Sequence, residues 1–101
     1  MTREEVFLKL SKEAEVLSKN GFSLIEDYSD EKLSAKVYDK VSNSKRFVFI
    51  VECEGRFVLI NSEIHFYDSV WNNRICCYLA NYSDVEDEIK DLIYFTIKLS
   101  K

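Results

Sequence analysis

The sequence predicts an α+β domain of two layers, in which both terminal helices pack on one face of an antiparallel sheet of about five or six strands. Amphipathic helical patterns stand at both ends of the chain, and short β-rich runs separated by brief turns fill the region between them. Strands joined by short turns pair antiparallel, because parallel neighbours need long crossover connections. With 101 residues and no repeat or linker, residues 1–101 are expected to form a single domain.

The first helix is predicted to begin at Thr2 and to end at Asn20-Gly21. Thr2 and Glu5 have the spacing of a capping box. Gly21 can adopt the left-handed conformation that ends a helix. The apolar residues fall on one helical stripe, which consists of Val6, Phe7, Leu10, Ala14 and Leu17.

Two strands are predicted next, the first over Phe22–Tyr28. Its residues Phe22, Leu24 and Tyr28 are expected to share one face. The second strand alternates between apolar and more polar residues, which is the pattern of a half-buried strand. Its predicted inward face is Leu33, Ala35, Val37 and Val41, broken only by Asp39, and its predicted outward face is Ser34, Lys36, Tyr38 and Lys40.

The most apolar stretch, Phe47–Ile60, is predicted to be a β-hairpin at the centre of the sheet. Its two runs are rich in β-branched and aromatic residues, and each is too short for a typical helix. Gly55 supplies the positive φ that a tight turn requires. Glu52 and Glu54 are expected on one face of the strand that leads into this turn.

Beyond the hairpin the pattern is weaker. Asn61-Ser62-Glu63 is predicted to be a turn and Ile64–Tyr67 a short strand. Asp68–Asn73 is predicted to be a loop that contains the only tryptophan. Ile75–Leu79 fits either a strand or a helical turn, because periodicity cannot decide over so short a segment.

A second capping box, Ser83-Asp84-Val85-Glu86, predicts the start of the last helix. Acidic residues crowd its first turn, where they complement the helix dipole. Tyr94 and Ile97 are expected to point away from the apolar stripe of this helix. The stripe itself is predicted to be Val85, Ile89, Leu92, Thr96 and Leu99.

Composition excludes several classes of function. The net charge of −4 argues against nucleic-acid binding, which needs a basic face. No apolar stretch approaches the roughly 18 residues of a membrane span. The N-terminus has acidic residues where a signal peptide has basic ones, so a cytoplasmic location without a membrane partner is expected. Two glycines cannot build a phosphate-binding loop, so no cofactor is expected.

Candidate catalytic and metal-binding residues are few. The cysteines and the only histidine make a nominal zinc ligand set of Cys53, Cys76, Cys77 and His65. Structural zinc sites usually pair cysteines about two to four residues apart, whereas two of these cysteines are adjacent and would point to opposite faces of a strand. No metal or catalytic residue is therefore assigned. A small ligand-binding domain or enzyme using Glu52, Glu54 or His65 remains an alternative.

An aromatic and acidic segment provides the remaining signal. Tyrosine and tryptophan are favoured anchors at protein interfaces, especially beside polar residues. The candidate contact residues are Tyr67, Trp71, Asn72, Asn73, Arg74, Tyr78 and Tyr82, together with Asp84, Asp87 and Asp91 on one side of the last helix.

These features favour a small acidic protein-binding module without catalysis, of the inhibitor or immunity type, acting in toxin immunity or phage counter-defence. Such proteins are often small, acidic and devoid of motifs. The expected partner is a protein with a basic surface, because charge complementarity speeds association. The alternative is a dimeric secretion-type chaperone or adaptor, in which Tyr94 and Ile97 supply a self-association surface.

Overall fold

The computed structural model describes residues 1–101 as two helices and a five-stranded antiparallel sheet. The helices are α1 (Arg3–Lys19) and α2 (Tyr82–Leu99), and the strands are β1 (Ser23–Ser29), β2 (Leu33–Ser42), β3 (Lys45–Glu54), β4 (Phe57–His65) and β5 (Val70–Tyr78). The strands pair in chain order, so β3 is central while β1 and β5 are the edges. Both helices pack on one face of the sheet, which confirms the predicted two-layer α+β architecture.

Helix α1 begins and ends where its sequence signals predict. The Glu5 N–H donates to Thr2 Oγ1 at 3.2 Å, and the Glu5 carboxylate accepts from the Thr2 N–H, which completes the capping box. The chain leaves the helix through Gly21 at φ +90°. The predicted stripe forms the buried face, since Val6, Leu10, Ala14 and Leu17 are inaccessible to solvent and Phe7 is half-buried.

The central hairpin is confirmed. Strands β3 and β4 pair from Arg46–His65 to Glu54–Phe57, and Gly55 has φ +57° in the turn between them. From Phe47 onward, the β3 side chains that face the helices are all buried, namely Phe47, Phe49, Val51 and Cys53. On the opposite face Val48 is also only 5% exposed, although that face carries polar residues such as Glu52 and Glu63 as well.

The predicted inward face of β2 is wrong, because the register with β3 turns the strand over. Asn43 and Ser44 both have positive φ, the combination found in two-residue hairpin turns, and this turn places Tyr38 opposite Phe49. The helix-facing residues of β2 are therefore Ser34, Lys36, Tyr38 and Lys40, whereas Leu33, Ala35, Val37, Asp39 and Val41 lie on the open face of the sheet. Tyr38 is 3% exposed and Val41 is 73% exposed.

Two lysines on the helix-facing side of β2 cover apolar rings instead of breaking the core. Lys36 Nζ lies 5.9 Å from the centroid of the Phe7 ring, and Lys40 Nζ lies 5.8 Å from the centroid of the Phe22 ring. A lysine can bury its aliphatic stem and keep its ammonium group at the rim, and a cation over an aromatic face is attracted to it. The alternation alone does not reveal this use of lysine.

A bulge in β1 also overturns part of its predicted pattern. The register with β2 shifts between Leu24 and Glu26. Leu24 consequently lies opposite Tyr38 on the helix-facing side, whereas Tyr28 lies opposite Ala35 on the open face. The prediction that Phe22, Leu24 and Tyr28 share one face is therefore wrong for Tyr28, because one extra residue reverses the alternation.

The predicted turn at Asn61-Ser62-Glu63 is wrong, since all three residues lie within β4. Ser62 is 1% exposed, and its hydroxyl lies 2.6 Å from the Thr96 hydroxyl of α2. The Asn61 amide donates to the Glu63 carboxylate at 2.7 Å. Pairing with both neighbouring strands and these side-chain bonds satisfy most polar groups of a segment whose sequence resembles a turn, and only Asn61 Oδ1 is buried without a partner.

The predicted loop Asp68–Asn73 is also wrong beyond Ser69, because β5 begins at Val70 and includes Trp71. The predicted strand Ile64–Tyr67 is only partly correct, since β4 ends at His65. The ambiguous segment Ile75–Leu79 is a strand as far as Tyr78, and a single turn of 3₁₀ helix follows over Leu79–Asn81.

The predicted capping box at Ser83 is wrong, because the 3₁₀ turn runs directly into α2 at Tyr82. Asn81 occupies the N-cap position without a side-chain hydrogen bond. The prediction that Ile97 points away from the buried side of the helix is wrong as well, because Ile97 is 5% exposed. Leu99, which was predicted to be part of the apolar stripe, is 40% exposed. The buried residues of α2 are Tyr82, Ile89, Leu92, Ile93, Thr96 and Ile97. Neither helix combines the length and the apolar character that crossing a membrane requires.

Candidate functional site

Strand β5 divides the predicted contact residues between the two faces of the sheet. Trp71 lies opposite Ile64 and Asn73 lies opposite Ser62, so both are on the helix-facing side. Because side chains alternate along a strand, Asn72, Arg74 and Tyr78 lie on the open face. Tyr67 is fully exposed in the turn that precedes β5.

A groove of about 630 Å³ runs between the edge strand β5 and helix α2. We call it the β5–α2 groove, and its lining residues are Asn73, Arg74 and Ile75 from β5 with Glu88, Asp91, Leu92 and Phe95 from α2. Trp71 packs against Phe95 beside the groove, with ring centroids 6.2 Å apart and ring planes at 57°. Trp71 is 37% exposed and Phe95 is 44% exposed, so this aromatic pair presents apolar surface to solvent.

The α2 side of the groove is acidic. Glu88 and Asp91 line it, and Asp84 and Asp87 are exposed nearer the start of the helix. None of these four carboxylates has an ion-pair partner within the chain. Their charges are therefore free to meet a basic group from outside.

The prediction that Tyr82 is a contact residue is wrong, because Tyr82 is only 1% exposed at the start of α2. Its hydroxyl has no hydrogen-bond partner, and burial, with nearby acidic groups such as Glu86 adding to it, raises the pKa of Tyr82 to about 12. Tyr78 remains at the surface at 56% exposure and packs against Phe57 with ring centroids 5.1 Å apart. The aromatic segment thus contributes one core residue and several surface residues.

A second groove, of about 640 Å³, lies on the open face of the sheet beside the β3–β4 turn. Glu52 and Glu54 line it from the same face of β3, together with Arg74 and Cys76 of β5. No ion pair joins Arg74 to either glutamate. The groove is open to solvent and mixed in charge.

His65 lies on the same open face but far from those glutamates. Glu52 pairs with Leu59, and His65 is six residues further along β4, so the two are roughly 20 Å apart. The Nε2 atom of His65 lies 2.9 Å from Glu63 Oε1. The structure therefore does not bring Glu52, Glu54 and His65 into one site.

The three cysteines are all free thiols, and they do not converge. Cys76 faces the open side of the sheet and Cys77 the helix-facing side, because they are adjacent on one strand. Burial raises the pKa of the Cys53 thiol to about 12. No group of three or more His, Cys, Asp or Glu side chains lies close enough together to hold a metal ion.

Four residues that line the β5–α2 groove are absent from the predicted contact set, namely Ile75 and Leu92, which border the core, and the exposed Glu88 and Phe95. Glu88 and Phe95 share a helical side with Asp91 and Leu92, because residues three and four apart on a helix are neighbours. An aromatic residue outside the apolar stripe and one turn beyond an exposed acid is the signal that would have found Phe95.

Comparison with protein-family models, with curated proteins and with solved structures finds no match for this chain.

Proposed function

We propose that the protein is a small acidic protein-binding module without catalysis, of the inhibitor or immunity type, acting in toxin immunity or phage counter-defence. The observation that carries the proposal is the β5–α2 groove, where an exposed aromatic pair adjoins two unpaired carboxylates at the edge of the sheet. Aromatic residues in partly closed surface pockets are the usual anchors of protein interfaces.

The acidic wall of the groove defines the chemistry of the partner. Glu88 and Asp91 point into solvent without counter-ions, and the whole chain has a net charge of −4. Complementary charge raises association rates and disfavours acidic competitors. A basic protein, such as one whose own active site or nucleic-acid groove is basic, is the partner that this surface fits. Three free cysteines support action in the cytoplasm, where thiols stay reduced.

The two alternative functions have weaker support. Ile97 is 5% exposed, so the surface that a dimeric chaperone or adaptor was expected to form with Tyr94 loses one of its two members. His65 lies apart from Glu52 and Glu54, so an enzyme or ligand-binding domain of the alternative kind would use either the glutamates or the histidine and not all three together. No specific observation favours either alternative over the binding module.

Affinity capture with matched aromatic variants tests the proposal. The tagged chain is used as bait in a lysate of its native host, beside the variants Trp71→Ser and Tyr94→Ser. Tyr94 is 60% exposed on α2 and does not line the groove, so it provides a control for the loss of a surface aromatic residue.

We expect the wild type and Tyr94→Ser to retain the same stoichiometric basic protein and Trp71→Ser to lose it. Circular dichroism and urea unfolding establish that each variant is folded. Recovery of no stoichiometric partner, or equal recovery by all three baits, would contradict the proposal. Light scattering that shows a stable homodimer sensitive to Tyr94→Ser would favour the adaptor alternative instead.

A further inference from the structure

The two edge strands differ in their protection against pairing with another chain. Strand β1 has a bulge between Leu24 and Glu26 and carries two adjacent acids, Glu26 and Asp27. Bulges and charges are common means by which sheet edges avoid intermolecular pairing. Strand β5 pairs with β4 over nine residues without a register shift, and Arg74 is its only charged residue. The less protected edge is therefore β5.

The hydrogen bonds that flank β5 show which of its backbone groups are free. The Leu79 N–H donates to the Arg56 carbonyl at 2.8 Å, and the Phe66 N–H donates to the Ser69 carbonyl at 2.8 Å. Bonded and non-bonded pairs alternate in an antiparallel ladder, so these two bonds determine which of the residues between them bond to β4. Trp71, Asn73, Ile75 and Cys77 therefore bond to β4, whereas Asn72, Arg74 and Cys76 direct their N–H and C=O groups to the free edge.

The free edge and the β5–α2 groove are aligned. A strand added to β5 would lie about 4.8 Å away, and its residues opposite Asn73 and Ile75 would point to the helix-facing side. Those side chains would enter the groove between Glu88, Asp91 and Phe95. One extended segment would thus use both the unpaired backbone groups and the acidic, aromatic pocket.

We propose that β5 accepts an extended basic segment of the partner protein as a sixth strand, with alternate side chains of that segment in the β5–α2 groove. This inference deepens the proposed function and rests on it. Main-chain hydrogen bonds supply affinity in strand addition, and pockets for alternate side chains supply specificity. Lysine or arginine side chains at the groove-facing positions meet Glu88 and Asp91 and pack their aliphatic stems against Phe95, while the intervening residues lie on the open face.

Charge disfavours a second copy of the chain at the same edge. In a two-fold antiparallel pair of β5 strands that overlap over their full length, the axis passes through the middle of the strand and Arg74 faces its own copy. Like charges directly opposite each other in a sheet are destabilising. Both α2 helices would also lie on the same side of the joined sheet, which brings Glu88 and Asp91 towards their own copies. A heterologous segment with its basic side chains on the groove side and uncharged residues opposite Arg74 avoids both conflicts.

Hydrogen exchange measured by NMR, with a defined peptide, tests the inference. The probe is a short capped peptide that alternates lysine and valine, and the control peptide alternates glutamate and valine. We expect the lysine peptide to slow exchange of the Asn72, Arg74 and Cys76 amides by about tenfold or more, because each gains a backbone acceptor. The amides of Asn73 and Ile75 bond to β4 in the free protein and should change little.

A proline substitution separates backbone pairing from side-chain contact. Asn72→Pro removes an N–H that points to the free edge and leaves the ladder with β4 intact, which edge strands tolerate. Asn72→Ala removes the same side chain but keeps the N–H. Binding of the lysine peptide should weaken about tenfold in the proline variant and be nearly unchanged in the alanine variant, since one main-chain bond is lost.

Three outcomes would overturn the inference: no protection at these amides with millimolar lysine peptide, equal protection by the glutamate peptide, or protection without any peptide, which would mean self-pairing. A failure of strand addition can be distinguished from a failure of the proposed function. A captured partner that Trp71→Ser loses but Asn72→Pro retains leaves the binding module standing and refutes strand addition. Absence of any partner refutes the module, while the peptide experiment still decides what the β5 edge accepts.

Discussion

The hydroxyl of Ser62 lies 2.6 Å from the hydroxyl of Thr96, and this bond joins β4 to α2 inside the core. The Thr96 hydroxyl also donates to the Leu92 carbonyl at 2.7 Å. A threonine hydroxyl has a single hydrogen, so Ser62 must be the donor and Thr96 the acceptor between them. The two residues are each 1% exposed, which makes the bond a polar link within an otherwise apolar layer.

This directionality predicts unequal costs for removing the two hydroxyls. Thr96→Val should lower the free energy of unfolding by about 1–3 kcal/mol, because it leaves the Ser62 donor buried and unpaired. Ser62→Ala should cost less, since Thr96 keeps its bond to Leu92. The double variant should cost less than the sum of the two, as measured by urea unfolding in a double-mutant cycle. Strict additivity would show that the bond does not form in solution.

The orientation of β2 in the structure predicts that substitutions at two adjacent residues, Lys40 and Val41, differ in their effect on stability. Lys40 Nζ donates to the Asn20 carbonyl at 3.0 Å and to Ser100 Oγ at 3.2 Å, so it ties the ends of both helices to the sheet. Lys40→Met should lower the free energy of unfolding by about 1–2 kcal/mol through loss of these bonds. Val41→Thr should change it by less than about 0.5 kcal/mol, because Val41 is 73% exposed. Urea unfolding measures both, and a larger effect at Val41 would contradict the observed register.

Sequence patterns predicted several elements whose signals are local, although the local signals at Ser83 and at Asn61-Ser62-Glu63 were wrong. The Thr2 capping box, the Gly21 stop and the Gly55 turn act within a few residues, and each appears where it was expected. Strand faces depend instead on partners distant in sequence. The inward face of β2 is set by pairing with β3, and lysine stems replace the apolar residues that alternation alone would choose.

For the candidate site, too, the residue types could be predicted from local sequence, whereas their placement in the fold could not. Trp71, Arg74 and Asp91 were predicted from residue type, and they adjoin or line the β5–α2 groove. The groove itself arises because α2 packs beside an edge strand, and no pattern within the segment reports that placement. Tyr82 was misassigned for a related reason, since the 3₁₀ turn before α2 directs it into the core.

The turn between β1 and β2 predicts a defined response to acid. Asp30 accepts the Tyr28 hydroxyl at 2.6 Å and the Lys32 and Leu33 amides at 2.8 Å each, and these bonds lower the pKa of Asp30 to about 2. A carboxyl group whose pKa is lower in the folded state than in the unfolded state stabilises the folded protein above its unfolded-state pKa of about 4. This contribution to stability is lost as the pH falls through about 2.

Asp30→Asn keeps an oxygen for the amide donors but removes the charge. It should be less stable than the wild type at neutral pH, and the difference should shrink between about pH 4 and about pH 2. Urea midpoints measured across that range check the prediction. A difference that stays constant with pH would show that the Asp30 charge does not contribute.

The three thiols should react with iodoacetamide at very different rates. Cys76 is exposed, burial raises the pKa of Cys77, and deeper burial raises the pKa of Cys53 to about 12. The thiolate is the reactive form, so the expected order is Cys76, then Cys77, then Cys53. Tandem mass spectrometry of the timed reaction at mildly alkaline pH distinguishes the three sites. All three should react at similar rates in urea, and rapid native labelling of Cys53 would contradict its burial.

The difference between the two sheet edges predicts which charged residue does more to limit pairing between chains. Arg74 is the only charged residue of β5, and an exposed regular edge without charge is a template for pairing between chains. Arg74→Val should therefore increase aggregation, whereas Glu26→Val on the bulged edge β1 should have little effect. Light scattering followed over time at physiological temperature and ionic strength measures both.

Overall charge predicts the opposite order, which makes the comparison decisive. Removing Arg74 changes the net charge from −4 to −5, and removing Glu26 changes it from −4 to −3. Greater net charge favours solubility, so a purely colloidal effect would make Glu26→Val the more aggregation-prone variant. Faster aggregation of Arg74→Val despite its higher charge would identify the β5 backbone as the surface that pairs. Faster aggregation of Glu26→Val would show that total charge outweighs protection of the β5 edge.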